Sequence, residues 1–299
     1  HRNDPGVDIL SIVHAHDVDI EFPKEVYEQI EAINDEIDPT DIQNRVDLRS
    51  EMIVTIDGDD AKDLDDAISL KKLANGHYQL GVHIADVSRY VTYGTSLDLD
   101  ARRRATSVYL VDRVIPMLPE HLSNNICSLV PGQDRCTISV EVLLSPAGKV
   151  LSYDVFPSVI RSSARLSYDQ AQVLLGSAEK GYSLEQAEQA FRSCEVPHGA
   201  IQVSSACIEK LQERIVALNK LAKKLFDLRK QDGCMDFNRV EAKARLDEQR
   251  RPVEIIYRRK TDATQLIEEA MILANHLVAQ WLLGKNLPCV FRVHDEPDG

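Results

Sequence analysis

The most constraining feature of the sequence is a dense run of aspartates between two apolar segments. Six of the ten residues from 57 to 66 are aspartate, and apolar runs flank them at 52–56 and 67–70. Two carboxylates about 4–5 Å apart repel by about 3–4 kcal/mol at an effective dielectric of about 20. Because the flanking runs are typical of β-strands, we expect the fold to hold several of these carboxylates together. Such a cluster is stable only when some carboxylates are protonated or a cation lies between them.

Three simpler explanations compete with a cation site. An acidic surface loop fits poorly, because apolar residues are interleaved with the aspartates and a predicted hairpin follows. A calcium loop of the EF-hand type fails, since the position that requires glycine is Lys62 and the position that requires glutamate is Ile68. A phosphohydrolase with Asp57 as its nucleophile stays open, although it leaves the later aspartates unexplained.

A magnesium site accounts for more of the aspartates. Mg²⁺ prefers oxygen ligands, usually a few carboxylates together with water and phosphate oxygens. Asp63, Asp65 and Asp66 span four positions, so a turn can direct them at one centre, with Asp57 arriving from the end of a strand. Two metal ions about 4 Å apart would activate water and stabilise a leaving oxygen in phosphoryl chemistry.

Composition narrows the class of protein. The 299 residues, 43% of them hydrophobic, are enough for one large or two ordinary domains with a sizeable core. No stretch approaches the apolar length of a membrane span, and the start has no signal-peptide pattern. The six cysteines show no zinc spacing, which predicts reduced thiols in a cytoplasmic protein.

The net charge of −13 argues against a broad basic surface of the kind that binds nucleic acid, but it leaves room for a local basic groove. Basic residues do cluster at 102–104, at Arg161 with Arg165, and at 258–260. Taken singly, each cluster is better explained as a solvated face.

Periodicity predicts an α+β fold, with an antiparallel or mixed sheet at about 50–161 and a helical region at about 167–285. Hairpins are expected at Asn75-Gly76 and at 146–148, and a short helix is expected at 23–30. Further helices are predicted at 97–108, after a capping box at Ser183, at 207–231 and at 265–283. Residues 1–50 are predicted to be a loop-rich lead-in that packs on the main domain.

Nine sequence blocks, in this order, resemble the catalytic domain of the ribonuclease II/ribonuclease R (RNB) exoribonucleases, with the ribonuclease R branch nearest. They are VTIDGDDAKDLDDA (54–67), HIADVS (83–88), ATSVY (105–109), VIPMLP with LS (114–123), CSL (127–129), ARLSY (164–168), MDF (235–237), LIEEAMILAN (266–275) and FRVHD (291–295). The resemblance implies processive 3′→5′ hydrolysis of single-stranded RNA, from its 3′ end, to nucleoside 5′-monophosphates.

The resemblance also implies residue roles. Asp57, Asp63, Asp65 and Asp66 match the family's metal-holding aspartates, and Asp65 matches the one most closely tied to catalysis, with Mg²⁺ as the expected ion. The residues that match RNA contacts are Tyr109 and Phe237 (an aromatic clamp), Tyr168 (end-product length) and Glu268 or Glu269 (a ribose contact). Composition alone favours core packing for the aromatics. His83 and His294 are expected to be structural, and Asp59 and Asp60 bystanders.

The family's catalytic domain continues beyond the last block, to a phosphate-binding arginine and an RNA-binding domain of the S1 type, and two cold-shock domains precede it. We therefore expect residues 1–50 to be a lead-in from such domains and 51–299 to be a partial catalytic domain. On this view the isolated 299 residues are inactive or nearly so, and monomeric. A non-catalytic RNA-binding relative remains the alternative from another class.

Overall fold

The computed structural model describes residues 6–235, 240–247, 251–291 and 293. Three short helices come first: α1 (Val7–Ala15), α2 (Lys24–Glu31) and α3 (Pro39–Gln43). The predicted helix at 23–30 is confirmed by α2, which buries Val26 and Ile30. Both side chains belong to a buried cluster that also contains Ile53 of the main sheet. The lead-in therefore packs on the domain through an apolar helix face.

One six-stranded sheet organises the domain. Its six strands are β1 (Val46–Asp47), β2 (Ile53–Asp57), β3 (Asp66–Lys72), β4 (Tyr78–Ala85), β7 (Asp134–Leu144) and β8 (Val150–Ser167). Between β4 and β7 in the sequence, β5 (Val108–Tyr109) and β6 (Val114–Ile115) form a separate two-stranded ribbon. The spatial order is β1-β8-β2-β3-β4-β7, and β7 pairs with β8 as well. Since β8 lies beside both β2 and β7, the strand pairings close into a ring.

The length of β8 makes this closure possible. Residues from Val150 to Arg161 pair antiparallel with β7, whereas those from Ser162 to Ser167 run parallel to β2. All other pairings within the ring are antiparallel. The predicted hairpins are confirmed: β3–β4 turns at Gly76 and β7–β8 at Gly148, both with positive φ, which glycine adopts without a steric penalty.

Helices pack on one face of the sheet and follow it in the sequence. They are α5 (Tyr168–Glu179), α6 (Leu184–Arg192), α7 (Ser205–Gln231) and α8 (Asp262–Gly284), and an earlier helix, α4 (Ser96–Arg104), lies between β4 and β5. The predicted capping box at Ser183 is present. A first buried cluster joins the sheet to α5–α8, and a second joins it to α2, α4 and the segment 122–126. The α+β class is confirmed.

Two predictions need correction. The helix expected at 97–108 ends at Arg104, because Ala105 has a φ of 63°, outside the helical range, and Val108 already belongs to β5. The helical region at about 167–285 is interrupted by a hairpin of β9 (Val240–Leu246) and β10 (Pro252–Arg259), paired antiparallel. Two-stranded ribbons bury little apolar surface, so they give only a weak hydrophobic period in the sequence.

Among the helices of the described residues, none combines the length and the apolar content that a membrane span requires. All six cysteines are free thiols.

Candidate functional site

The aspartate run connects β2 to β3 at one edge of the sheet. Asp57 is the last residue of β2 and pairs with Ser167 at the end of β8, while Asp66 is the first residue of β3 and pairs with Ile84. Asp63 and Asp65 lie in the loop between the two strands. The strand ends and their loop thus bring all four predicted carboxylates to one place, next to the start of α5.

A distant segment fixes the second half of this loop. Leu64 is buried, its backbone N–H donates to Ser128 Oγ (3.0 Å), and its carbonyl accepts from the backbone N–H of Leu129 (2.9 Å). The Ser128 hydroxyl also donates to the carbonyl of Lys62 (2.8 Å). These bonds hold Asp63 and Asp65 on either side of a buried anchor. Local sequence reasoning gave Ser128 no role, although it lies in one of the resembling blocks.

Arg165 fixes the first half. This arginine of β8 is 3% exposed, and its Nη2 donates to the carbonyls of Gly58 (2.9 Å) and Asp59 (3.4 Å). The backbone N–H of His198 donates to the same Asp59 carbonyl (3.2 Å). The guanidinium also opposes the rise in the pKa of Asp57. Sequence reasoning placed Arg165 in a basic cluster and missed this contact, which joins residues more than a hundred positions apart.

The carboxylates are held in an environment that disfavours their charged form. Burial, followed by the charge of Asp66, raises the pKa of Asp57 to about 7. Crowding by protein atoms, with the charges of Asp63 and Asp66, raises the pKa of Asp65 to about 6, although this is the most exposed of the four. Burial also raises the pKa of Asp66. Mutually raised pKa values in a partly buried site are typical of functional carboxylates.

Two oxygens of this cluster have no hydrogen-bond partner. Asp57 Oδ2 and Asp66 Oδ2 are both buried and unpaired within the described part of the chain. A buried carboxylate oxygen without a donor is costly, and a cation is the partner that would relieve it. Across the described ranges, no three His, Cys, Asp or Glu side chains already converge as a ligand set. The residues present fit a hard cation by their chemistry, and such an ion would draw the carboxylates inward.

Two of the predicted aromatics border the carboxylates. Tyr109 on β5 is 68% exposed, and its hydroxyl donates to Asp63 Oδ2 (3.2 Å). Tyr168, the first residue of α5, is half-buried, and burial together with the charges of Asp57 and Asp66 raises its pKa to about 12. Core packing, which composition favoured, does not describe the exposed Tyr109. Phe237 lies outside the described residues.

The two candidate glutamates of α8 have different environments. Glu269 is 1% exposed, and both its oxygens accept from Arg229 of α7, at 2.7 and 2.9 Å. This buried ion pair joins two helices, so the ribose contact expected of Glu269 does not fit its surroundings. Glu268 is partly exposed, pairs with Lys260 (2.7 Å) and lines a groove together with Tyr168. Of the two, only Glu268 is placed for a ligand.

Asp60 and His83, which were predicted to have no catalytic role, have other partners. Asp60 forms an ion pair with Lys243 of β9. His83 is buried between Ser69 and Ser139, and burial lowers its pKa to about 3, in keeping with a structural role. His294 lies outside the described residues.

The chain is similar in sequence to known proteins of one family. Residues 45–299 match the RNB domain family. The chain is 42% identical over 297 residues to Ribonuclease R 2 of Lactococcus lactis, covering 99% of this chain and 42% of that protein. It is 44% identical over 301 residues to Ribonuclease R of Thermotoga maritima, covering 99% of this chain and 39% of that protein.

A solved structure shows the same fold. Mycoplasma genitalium RNase R in complex with ribose methylated single-stranded RNA matches with a TM-score of 0.84 at 28% identity, over 99% of this chain and 42% of that one. The chain therefore spans about two fifths of the length of these relatives.

Proposed function

This chain belongs to the RNB domain family, and we propose that it supplies the carboxylate centre of a processive 3′→5′ exoribonuclease. The substrate is single-stranded RNA, shortened from its 3′ end by hydrolysis to nucleoside 5′-monophosphates. The observation that carries the proposal is the cluster of Asp57, Asp63, Asp65 and Asp66, with two buried oxygens that lack a donor, beside Tyr109. A relative freed from catalysis would have no reason to keep these like charges together.

Divalent ions, with Mg²⁺ as the natural candidate, would be held by these four aspartates. Carboxylate oxygens are the ligands that Mg²⁺ prefers, and the unpaired Asp57 Oδ2 and Asp66 Oδ2 are free to serve. When bound, a pair of such ions supplies activation of water and charge stabilisation at the leaving oxygen. The protein's own part is to hold the carboxylates in place through Ser128 and Arg165.

Single-stranded RNA fits the groups around the centre. Tyr109 is exposed next to Asp63, so its ring is available for stacking with a base, which is tolerant of sequence. Tyr168 and Glu268 line one groove beside the cluster, and a carboxylate there can accept from a ribose 2′-hydroxyl. Phe237 is expected to complete the clamp. The Mycoplasma genitalium relative was solved with single-stranded RNA, which supports this class of substrate.

The test compares two aspartate variants in the protein as its gene encodes it. Asp65→Asn is expected to lower turnover of 5′-labelled single-stranded RNA by at least about a hundredfold, while RNA affinity stays near wild type, because the change removes a metal ligand and no stacking group. Asp154→Asn, at an exposed aspartate of β8, is the matched control, and we expect it to behave like wild type.

Products are resolved on a sequencing gel with and without Mg²⁺, and metal binding is followed by calorimetry. Near-normal turnover of Asp65→Asn, or activity on small phosphate esters in place of RNA, would show that the proposed function is wrong.

A further inference from the structure

The three basic clusters of the sequence have different environments in the structure. In the first, Arg103 and Arg104 pair with Asp100, and Arg102 with Asp98. In the second, Arg161 pairs with Asp134. In the third, neither Arg258 nor Arg259 has an ion-pair or hydrogen-bond partner among the residues that the structure describes. Their neighbour Lys260 pairs with Glu268. In a chain of net charge −13, these two adjacent exposed arginines are available to bind an anionic ligand.

These two arginines line the groove that leads to the carboxylates. Arg258 and Arg259 border a cavity of about 550 Å³ together with Gly58, Asp59 and Tyr168. They also border an adjoining one, of about 560 Å³, with Glu268. A Cβ built on Gly58 would lie 3.7 Å from Arg258 Nη1, so the guanidinium reaches the residue that follows Asp57. Tyr168 is shared by both cavities and borders the carboxylate cluster.

The hairpin that carries the arginines is tied to the site but is open to solvent. Lys243 of β9 pairs with Asp60 of the aspartate loop, which links the hairpin to that loop. Every residue of β10 is exposed, including Tyr257 at 67%. Two exposed arginines with an exposed tyrosine, next to the carboxylate cluster, are suited to a strand with a phosphate backbone and exposed bases.

We propose that Arg258 and Arg259 bind backbone phosphates of the single-stranded RNA as it passes Tyr168 toward the carboxylates. This inference rests on the proposed function and adds the contact that lets an acidic protein hold a polyanion. Guanidinium groups present planar paired donors that match phosphate oxygens. Phosphate contacts carry no base preference, so the binding is independent of sequence.

The experiment measures RNA affinity without turnover. Fluorescence anisotropy of a labelled oligoadenylate in EDTA gives Kd between about 50 and 200 mM salt for the full chain. The double variant R258A/R259A is expected to weaken binding roughly tenfold or more. Because each phosphate contact to a single strand contributes about 0.7 to the slope of log Kd against log salt, that slope should fall by about 1.4.

Arg245→Ala is the matched control. It lies on the same hairpin and removes one positive charge, but its guanidinium already pairs with Glu254 (2.7 Å), so binding should change little. R258K/R259K keeps both charges and should restore most of the salt slope. This variant also guards against a folding defect, which circular dichroism would reveal in the alanine variant.

The outcomes separate the two proposals. If wild type binds RNA but R258A/R259A matches the Arg245→Ala control, or the lysine variant restores nothing, the inference is wrong and the proposed function stands. If wild type binds no RNA in a salt-dependent way, both fail. If the variant loses affinity for poly-glutamate but keeps its affinity for RNA, the surface serves an acidic protein segment and the inference is overturned.

Discussion

Two polar clusters in the same sheet differ in whether their buried polar atoms have hydrogen-bond partners. The carboxylate cluster joins the ends of β2 and β3 and holds like charges with unpaired oxygens. The second, which we name the polar ladder, crosses the sheet between β3, β4, β7 and β8. Its members are Ser69, His83, Thr137, Ser139 and Ser158.

Every member of the polar ladder has a partner. His83 Nε2 lies 3.1 Å from Ser69 Oγ, and His83 Nδ1 lies 2.7 Å from Ser139 Oγ. Ser158 Oγ lies 2.6 Å from both Ser139 Oγ and Thr137 Oγ1. A satisfied buried network stabilises one arrangement of the strands. The carboxylate cluster leaves its charges for a ligand to neutralise. Hydrogen-bond satisfaction separates His83, whose two ring nitrogens both have partners, from the aspartates, two of whose buried oxygens lack them.

The largest stability loss is expected from breaking the ladder. Ser139→Ala leaves His83 Nδ1 without its partner and removes one of the two hydroxyl partners of Ser158, and leaving a buried polar atom unpaired costs about 1–3 kcal/mol. Urea unfolding followed by circular dichroism measures the change in the free energy of unfolding. Ser152→Ala, at an exposed serine of β8, is the control and should change it little. If the two variants had equal effects, the hydrogen bonds of the polar ladder would not stabilise the sheet as stated.

A pH dependence should follow from His83. Its pKa is about 3 in the folded chain and about 6.5 in a peptide, because burial disfavours the imidazolium. Above pH 6.5 His83 is neutral in both the folded and the unfolded chain, so its titration costs no stability there. As the pH falls below 6.5 the unfolded chain gains a proton that the folded chain does not, so stability falls by about 1.4 kcal/mol per pH unit.

The difference between wild type and His83→Asn isolates this contribution from other titrating groups. Their free energies of unfolding, measured in urea from neutral pH downward, should converge as the pH is lowered. Parallel pH profiles would show that His83 is not buried in its neutral form.

The smallest effect is a gain in stability at the carboxylate cluster. The folded pKa of Asp57, about 7, lies above its ordinary value of 3.8, so its contribution to stability is present at low pH and is lost as the pH rises through 7. In metal-free protein, Asp57→Asn should therefore raise the free energy of unfolding at alkaline pH by about 1 kcal/mol. This figure is discounted because Asp57 is partly exposed to solvent. Near pH 3 the substitution should leave the free energy of unfolding unchanged.

Added Mg²⁺ should stabilise wild type and not the Asp57→Asn variant, as thermal melts with and without the ion will show. Asp59→Asn, in the same loop, should respond to Mg²⁺ like wild type. Destabilisation of the metal-free Asp57→Asn protein would mean that this carboxylate is satisfied after all.

The sequence by itself determined many of the elements and predicted that the aspartates share one site. Asn75-Gly76 sets a hairpin, the Ser183 capping box starts α6, and crowded aspartates between two strands must share a site. Each of these is a local property of a few neighbouring residues, where turn chemistry, periodicity and charge act directly. The α+β class followed from their order.

Only the tertiary structure decided how the site is held and which candidates reach it. Ser128 fixes Leu64 and Arg165 fixes Gly58 across long stretches of chain, and no local pattern encodes such pairs. Adjacent glutamates of α8 are separated by the rotation of the helix, which buries Glu269 against Arg229 and leaves Glu268 at the groove. The hairpin with Arg258 is linked to the aspartate loop by the ion pair between Lys243 and Asp60, which forms only once distant segments have folded together.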